Sequence, residues 1–231
     1  MSAYDAVCFD LDRTLCVSTQ DPTALLETAF DRTGREPFCS HADLQALLPR
    51  VQPAFTDRTF HENLFSLAAS EAGHDDAVAA ALTDAYLDAY DPSAVRFRDG
   101  AARILDRARA ATDAVGLITN GSRPTQVPKL ETLGIEDAFD VSVFVDPDDG
   151  VPPKPDPVPF ERALTSLGAT PERTIHVGDA PYADVAGANA VGMDSAWLAA
   201  GHDVGAGDPT ADSQHEPTYE LSSLSALSAL L

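Results

Sequence analysis

Two periods of apolar residues alternate along the chain, and the change from one to the other divides it. The unbroken run Ala6-Val7-Cys8-Phe9 predicts a strand over 6–9 that is buried on both faces. After it the spacing becomes helical. Leu25, Leu26, Ala29 and Phe30 share one helical face, and Leu44, Leu47 and Leu48 share another. Leu64, Phe65, Leu67 and Ala68 give a third, and Val78, Leu82, Ala85, Tyr86 and Ala89 a fourth. Turn residues separate the four: Gly34 and Pro37, Pro49 and Pro53, then 73–76. Four helices without an intervening strand predict a helical insert over 17–94, set into a core domain made of 1–16 and 95–231.

From about residue 99 strand and helix alternate, which predicts an α/β domain with a parallel sheet built from crossover units. Asp99-Gly100 leads into a helix carrying Ile104, Leu105 and Ala108, followed by a strand over 115–119. A helix with Leu130 and Leu133 stops at Gly134, and a strand follows over 141–145. Phe160, Leu164 and Leu167 mark a helix that stops at Gly168. Strands are predicted over 175–177 and 195–198. The polar, Gly-containing stretch 201–216 predicts a surface loop, followed by a short strand around Tyr219 and a last helix through Leu224, Leu227 and Leu230. No internal repeat is present.

Composition narrows the partners. With 231 residues, 44% of them hydrophobic, the chain can bury a full core. Its net charge is −22, from 37 acidic against 15 basic residues. That repels nucleic acid and anionic membranes, and its even spread along the chain fits a surface adapted to high intracellular salt. Only two lysines occur, Lys129 and Lys154. Cys8, Cys16 and Cys39 show no metal-ligand spacing and read as reduced thiols. There is no signal-peptide pattern and no apolar stretch long enough to span a bilayer, so the expectation is a soluble, cytoplasmic protein with a small-molecule partner.

Asp10 and Asp12 stand where the first strand ends, the edge at which open α/β sheets place their active sites. A carboxylate there can attack phosphorus to form an aspartyl-phosphate, which makes Asp10 the candidate nucleophile. Asp12 can turn toward the same substrate, protonate the leaving oxygen and then activate water. A second Asp-x-Asp, Asp146-Pro147-Asp148, sits in a Pro- and Gly-rich loop without that strand context. Carboxylates gathered around a dianionic ester require cations. Asp179, after Gly178 at a strand end, is suited to hold Mg²⁺ beside Asp10, with Asp184 supporting the metal directly or through water. Lys154 supplies further positive charge, and Pro155 fixes the backbone behind it. Thr119-Asn120-Gly121 ends a strand with a hydroxyl and backbone N–H groups able to cradle phosphoryl oxygens, or alternatively caps the next helix.

In order, Asp10-Leu11-Asp12-Arg13-Thr14, Thr119-Asn120-Gly121, Lys154-Pro155-Asp156 and Gly178-Asp179 with Asp184 resemble the four signature motifs of the haloacid dehalogenase-like (HAD) hydrolase superfamily. The resemblance covers nearly the whole chain and is to the phosphatase branch with a helical C1-type cap. It implies a doubly wound, Rossmann-like sheet, a mobile helical lid and Mg²⁺-dependent phosphoryl transfer. It also implies a metal shell made of the Asp10 carboxylate, the Asp12 backbone carbonyl and Asp179. Relatives often carry Gly, Asn or Asp where this chain has Arg13. That leaves Arg13 either touching cap or substrate, or pairing with a surface acid.

Within that resemblance, Asp12 disfavours dehalogenation, whose enzymes lack the second acid. Phosphonate hydrolysis needs a cap lysine, and no lysine precedes Lys129. A phosphosugar mutase and a non-catalytic ligand-binding protein of the same fold stay open, although the complete motif set counts against the latter. A receiver domain is disfavoured, because its acidic pair and its phospho-acceptor lie on different strands and it has no helical insert. The expectation is a phosphatase acting on a small phosphorylated metabolite. Arg50, Arg58 and His61 of the insert are candidates to bind the leaving group, and Phe55 and Phe60 face either substrate or core.

Overall fold

The computed structural model of the chain describes residues 3–52, 54–199 and 216–231. The turn expected at Pro53 and all but the last residue of the loop expected over 201–216 lie outside the described residues. At the centre runs β1 (Ala6–Phe9), every residue of it fully buried. Val7 and Phe9 enter one core with Val115, Leu117, Ile104 and Leu105, while Cys8 enters another with Ile118, Val143 and Phe160. A strand covered on both faces has no polar side, which is why its sequence shows no alternation.

Five further strands join it in parallel: β4 (Ala114–Ser122), β5 (Val141–Val145), β6 (Thr174–Gly178), β7 (Asp194–Leu198) and β8 (Tyr219–Leu221). The order is β5-β4-β1-β6-β7-β8. The chain winds outward from β1 through β4 to β5, then re-enters on the opposite side as β6. Strands β4, β1 and β6 therefore flank the topological switch point, and the crevice outside their carboxyl ends is where such sheets bind ligands. Residues of α5 (Ala101–Ala111) and α6 (Arg123–Leu133) cover one face; those of α7 (Pro157–Leu167) and α8 (Ala186–Val191) cover the other. This is the doubly wound α/β architecture.

Between β1 and β4 lie the four expected helices, α1 (Pro22–Thr33), α2 (His41–Leu47), α3 (Asp57–Glu71) and α4 (Val78–Ala89). They bury their apolar faces against one another, with Phe30, Leu44, Leu64, Phe65 and Leu82 at the centre of a core separate from those on the sheet. Asp21 caps α1, and Ser40 with Asp43 forms a capping box on α2. No helix among the described residues is long and apolar enough to cross a membrane.

Three features differ from the sequence expectation. Two short strands, β2 (Cys16–Ser18) and β3 (Val95–Phe97), pair antiparallel where the chain leaves and rejoins the sheet domain. Three residues are too few to show a period. Strand β4 continues to Ser122, past the expected end at 119, with its register shifting between Ile118 and Ser122. The last helix is a 3₁₀-helix over Leu224–Ala229, and the spacing of three between Leu224, Leu227 and Leu230 suits three residues per turn.

The run Lys154-Pro155-Asp156 has a structural half. Asp156 is the N-cap of α7, accepting a hydrogen bond from the Val158 amide at 3.0 Å. Asp156→Ala should therefore lower stability by about 1 kcal/mol, read from the urea midpoint at constant m-value, with Asp156→Asn restoring most of it. An unchanged midpoint in the alanine variant would show that the cap contributes nothing.

Candidate active site

The backbone N–H of Asp10 donates to the Val177 carbonyl at 2.9 Å, which extends the β1–β6 pairing by one residue and fixes Asp10 on the floor of the crevice. The chain then turns sharply, with the amides of Leu15 and Cys16 both donating to the Leu11 carbonyl. Arg13 makes that turn with φ at +65°, the only non-glycine residue of positive φ among those described. A side chain there costs about 1–2 kcal/mol, which accounts for the Gly, Asn or Asp that the resemblance leads one to expect. The turn brings Asp12 to the same cavity as Asp10. Arg13 touches the insert, as one of the two expectations had it, and the acid it pairs with is not a surface one. Its Nε lies 3.3 Å from Oδ2 of Asp179, a buried acid of the site rather than of the surface, and its Nη1 donates to Gln45 Oε1 of α2 at 3.3 Å.

Lys154 is the centre of the buried charge. Its Nζ lies 2.8 Å from Asp10 Oδ1, 2.6 Å from Asp184 Oδ1 and 2.8 Å from the Ile118 carbonyl. Asn120 holds the lysine's backbone, accepting from its N–H at 2.7 Å and donating to its carbonyl at 3.1 Å. The Asn120 side chain is thus engaged in fixing Lys154, and the backbone N–H is the part of Asn120 expected at the phosphate. The Lys154–Pro155 peptide is cis. Thr119 lines the cavity, buried at the end of β4. Asp184 also accepts from the Ala180 N–H and lies 2.9 Å from His176 Nε2. It sits so close to β6 that a Cβ on Gly178 would stand 2.1 Å from its Cγ.

Asp12 is gripped by two residues of α6. Lys129 Nζ reaches both carboxylate oxygens at 2.7 Å, and Gln126 Nε2 donates to Oδ2 at 2.8 Å. Both are buried, and their i, i+3 spacing puts them on one face of the helix. Gln126 passes over Gly121, where a Cβ would fall 1.6 Å from Nε2. No expectation assigned Lys129 a role, although it is as scarce a residue in this chain as Lys154.

The insert closes the cavity, which encloses about 680 Å³. Asp57, the first residue of α3, accepts hydrogen bonds from Ser122 Oγ at 2.7 Å and from Thr125 Oγ1, which ties the insert to the sheet domain. His61 lines the cavity between Phe60 and Tyr86, its Nδ1 against the Asp57 carbonyl at 2.7 Å. Arg50 reaches the rim paired with Glu71. Arg58, expected beside the leaving group, does not line the cavity; it lies outside, paired with Asp84 and Glu62.

Charge in this crevice is unbalanced. Burial, reinforced by Asp184 and Asp12 and opposed by Lys154, pushes the Asp10 carboxyl up to about 7. Burial and the charge of Asp10 push Asp179 up to about 8. Asp184 is buried as deeply, but Lys154 and the hydrogen bond from His176 together outweigh that burial and hold it below the usual carboxylate range. Burial keeps His176 neutral, so its Nε2–H donates to Asp184 while Nδ1 stays unpartnered. One oxygen each of Asp10, Asp179 and Asp184 lies within 4.8 Å of the others. An octahedral Mg²⁺ sets opposite ligands about 4.2 Å apart. An all-oxygen donor set with excess negative charge fits a hard divalent cation.

The chain has relatives among known proteins. Residues 4–192 match the model of the haloacid dehalogenase-like hydrolase family. A glyceraldehyde 3-phosphate phosphatase from Pyrococcus furiosus is 36% identical over 99 residues, but that match spans only 43% of this chain and 40% of the relative. Longer matches join the chain to a validoxylamine A 7'-phosphate phosphatase of Streptomyces hygroscopicus subsp. limoneus, 30% identical over 87% of this chain and 88% of that one. Pyrophosphatase PpaX of Halalkalibacterium halodurans is 28% identical over 80% of each. Among solved structures, a predicted phosphoglycolate phosphatase from Haemophilus somnus superposes with a TM-score of 0.77 over 98% of this chain and 97% of that one, at 18% identity, a likeness of fold. With its motif residues converging on one crevice of a doubly wound sheet, the chain belongs to the haloacid dehalogenase-like hydrolase family.

Proposed function

We propose that this hydrolase is a Mg²⁺-dependent phosphatase that cleaves a small phosphomonoester through an aspartyl-phosphate on Asp10, with residues 17–94 as a cap domain over a core of 1–16 and 95–231. The observation that carries the reading is the separate holding of two carboxylates on one cavity: Asp10 by Lys154, Asp12 by Lys129 and Gln126. The phosphatase names of the relatives support it.

In the first step the Asp10 carboxylate bonds to phosphorus as the ester P–O bond breaks, and Asp12 gives its proton to the departing alkoxide. In the second, water bonds to phosphorus, its proton passes to Asp12, and the acyl phosphate P–O bond breaks to free Asp10. Lys154 balances charge on Asp10 and the transferring phosphoryl group. Thr119 and the backbone N–H groups of Asn120 and Gly121 donate to the phosphoryl oxygens. Asp10, Asp179 and Asp184, with the Asp12 carbonyl, would hold Mg²⁺, which supplies charge neutralisation at the phosphoryl group. The acidic surface is read as an adaptation to concentrated salt, so assays belong in molar KCl.

Asp10→Asn should abolish phosphate release, by about 10⁴-fold or more, without lowering Tm, because neutralising Asp10 relieves the crowding of buried carboxylates. Retained turnover would remove Asp10 as nucleophile. Asp10 and Asp179 carry protons up to about pH 7 and about pH 8, yet must be ionised to hold a metal. Mg²⁺ affinity should therefore rise between pH 6 and pH 9, with protons released on binding. Calorimetry in buffers of different ionisation enthalpy reads both, and a flat profile counts against these ligands. Arg13→Gly removes a cation that competes for Asp179 and frees a strained backbone position. Its Mg²⁺ dissociation constant should fall about two- to fivefold by the same titration; a weaker constant would make Arg13 a support for the metal site, not a competitor.

A further inference from the structure

Every cationic side chain in the cavity lining already has a carboxylate of its own. Lys154 is paired with Asp10 and Asp184, Lys129 with Asp12, Arg13 with Asp179 and Arg50 with Glu71. His61 adds no charge, since burial holds it neutral. The one carboxylate that the insert brings to the lining, Asp57, takes its hydrogen bonds from the hydroxyls of Ser122 and Thr125. Among the described residues, then, the wall that the insert supplies offers no unpaired positive charge. A second anionic group on the substrate would lie there beside the Asp57 carboxylate with no counter-charge from the insert, which disfavours it.

The same wall is apolar and aromatic. Val51, Phe55, Phe60, Tyr86, Leu87 and Tyr90 line it, and Phe55 stays 45% exposed, the most exposed large hydrophobic residue among those described. An aromatic surface left uncovered at a cavity mouth offers a face on which a ring can stack. The cavity, at about 680 Å³, is of the size that receives a drug-sized ligand and far exceeds a two-carbon acid.

We propose that the leaving group is an uncharged, ring-bearing alcohol, so that the enzyme prefers nucleoside or cyclic sugar monophosphates over phosphoglycolate and inorganic pyrophosphate, with Phe55 as a specificity-determining residue. This rests on the phosphatase reading above. Phosphoglycolate and pyrophosphate each carry a second anionic group, and the wall supplied by the insert holds no unpaired cation to receive it. Thymidine 5'-monophosphate and glucose 6-phosphate carry the phosphate as their only charge, and separate a planar base from a saturated ring.

The test is kcat/KM for these four compounds with Mg²⁺ in molar KCl, together with the inhibition constant of inorganic phosphate. The expected result is that at least one ring-bearing ester exceeds both phosphoglycolate and pyrophosphate by tenfold or more. Phe55→Ala should then raise KM for that ester about fivefold or more, with kcat and phosphate inhibition little changed; being exposed, Phe55 can be removed without opening the core. Preference for phosphoglycolate or pyrophosphate, or equal use of all four, overturns the inference and leaves the phosphatase reading standing. Hydrolysis of none by folded protein that binds Mg²⁺ overturns both. A loss of kcat in Phe55→Ala with KM unchanged removes Phe55 from the role.

Discussion

One ammonium group ties together three strands of the sheet. Lys154 Nζ bonds the carboxylate that follows β1, the Ile118 carbonyl at the middle of β4, and the acid whose side chain lies against β6. Three buried acids within reach of one another do not coexist in a folded protein without such a partner. Taking away the lysine would cost about 3–5 kcal/mol, because the carboxylates left behind would have neither water nor counter-charge. Much of the surrounding structure fixes this group in place, from Asn120 gripping the lysine's backbone to Asp156 starting α7 just beyond it. The sheet order puts the three strands side by side, and the lysine makes their proximity tolerable.

The two aspartates of the first motif are held in opposite ways. Asp10 belongs to the rigid floor, nearly buried and bonded to a neighbouring strand through its own amide. Asp12 hangs from a strained turn and is almost half exposed, so its direction is set from outside by Gln126 and Lys129 on α6. That division suits the chemistry assigned to them. A group that forms a covalent bond benefits from a fixed position. A group that moves protons needs contact with substrate and water.

The sequence revealed these features unevenly, for physical reasons. The strand before Asp10, the four helices and the parallel sheet follow from burial patterns that repeat over several residues, and those patterns are properties of the chain alone. The convergence of Asp10, Asp12, Lys154 and Asp179 on one crevice also follows, since strand ends at a switch point meet. Pairings between distant side chains have no such signature. Nothing local marks Asn120 as the clamp on Lys154, Asp57 as the tie to Ser122 and Thr125, or Arg58 as facing away from the cavity. Arg13 is the reverse case, because its unusual identity was visible while the backbone angle that makes it unusual was not.

The scarcity of lysine takes on another meaning once both are located. Lys129 and Lys154 are each about 3% exposed, so the whole lysine complement of the chain sits within one crevice. The outer surface meets water through carboxylates and arginines, and arginine's guanidinium does not deprotonate to a nucleophilic amine at ordinary pH. Amine chemistry on the folded protein, whether acylation, glycation or cross-linking, therefore finds no lysine on the outside. Apart from the chain's α-amine, any amine-directed reagent that leaves a mark has had to enter the crevice, and the mark records its opening.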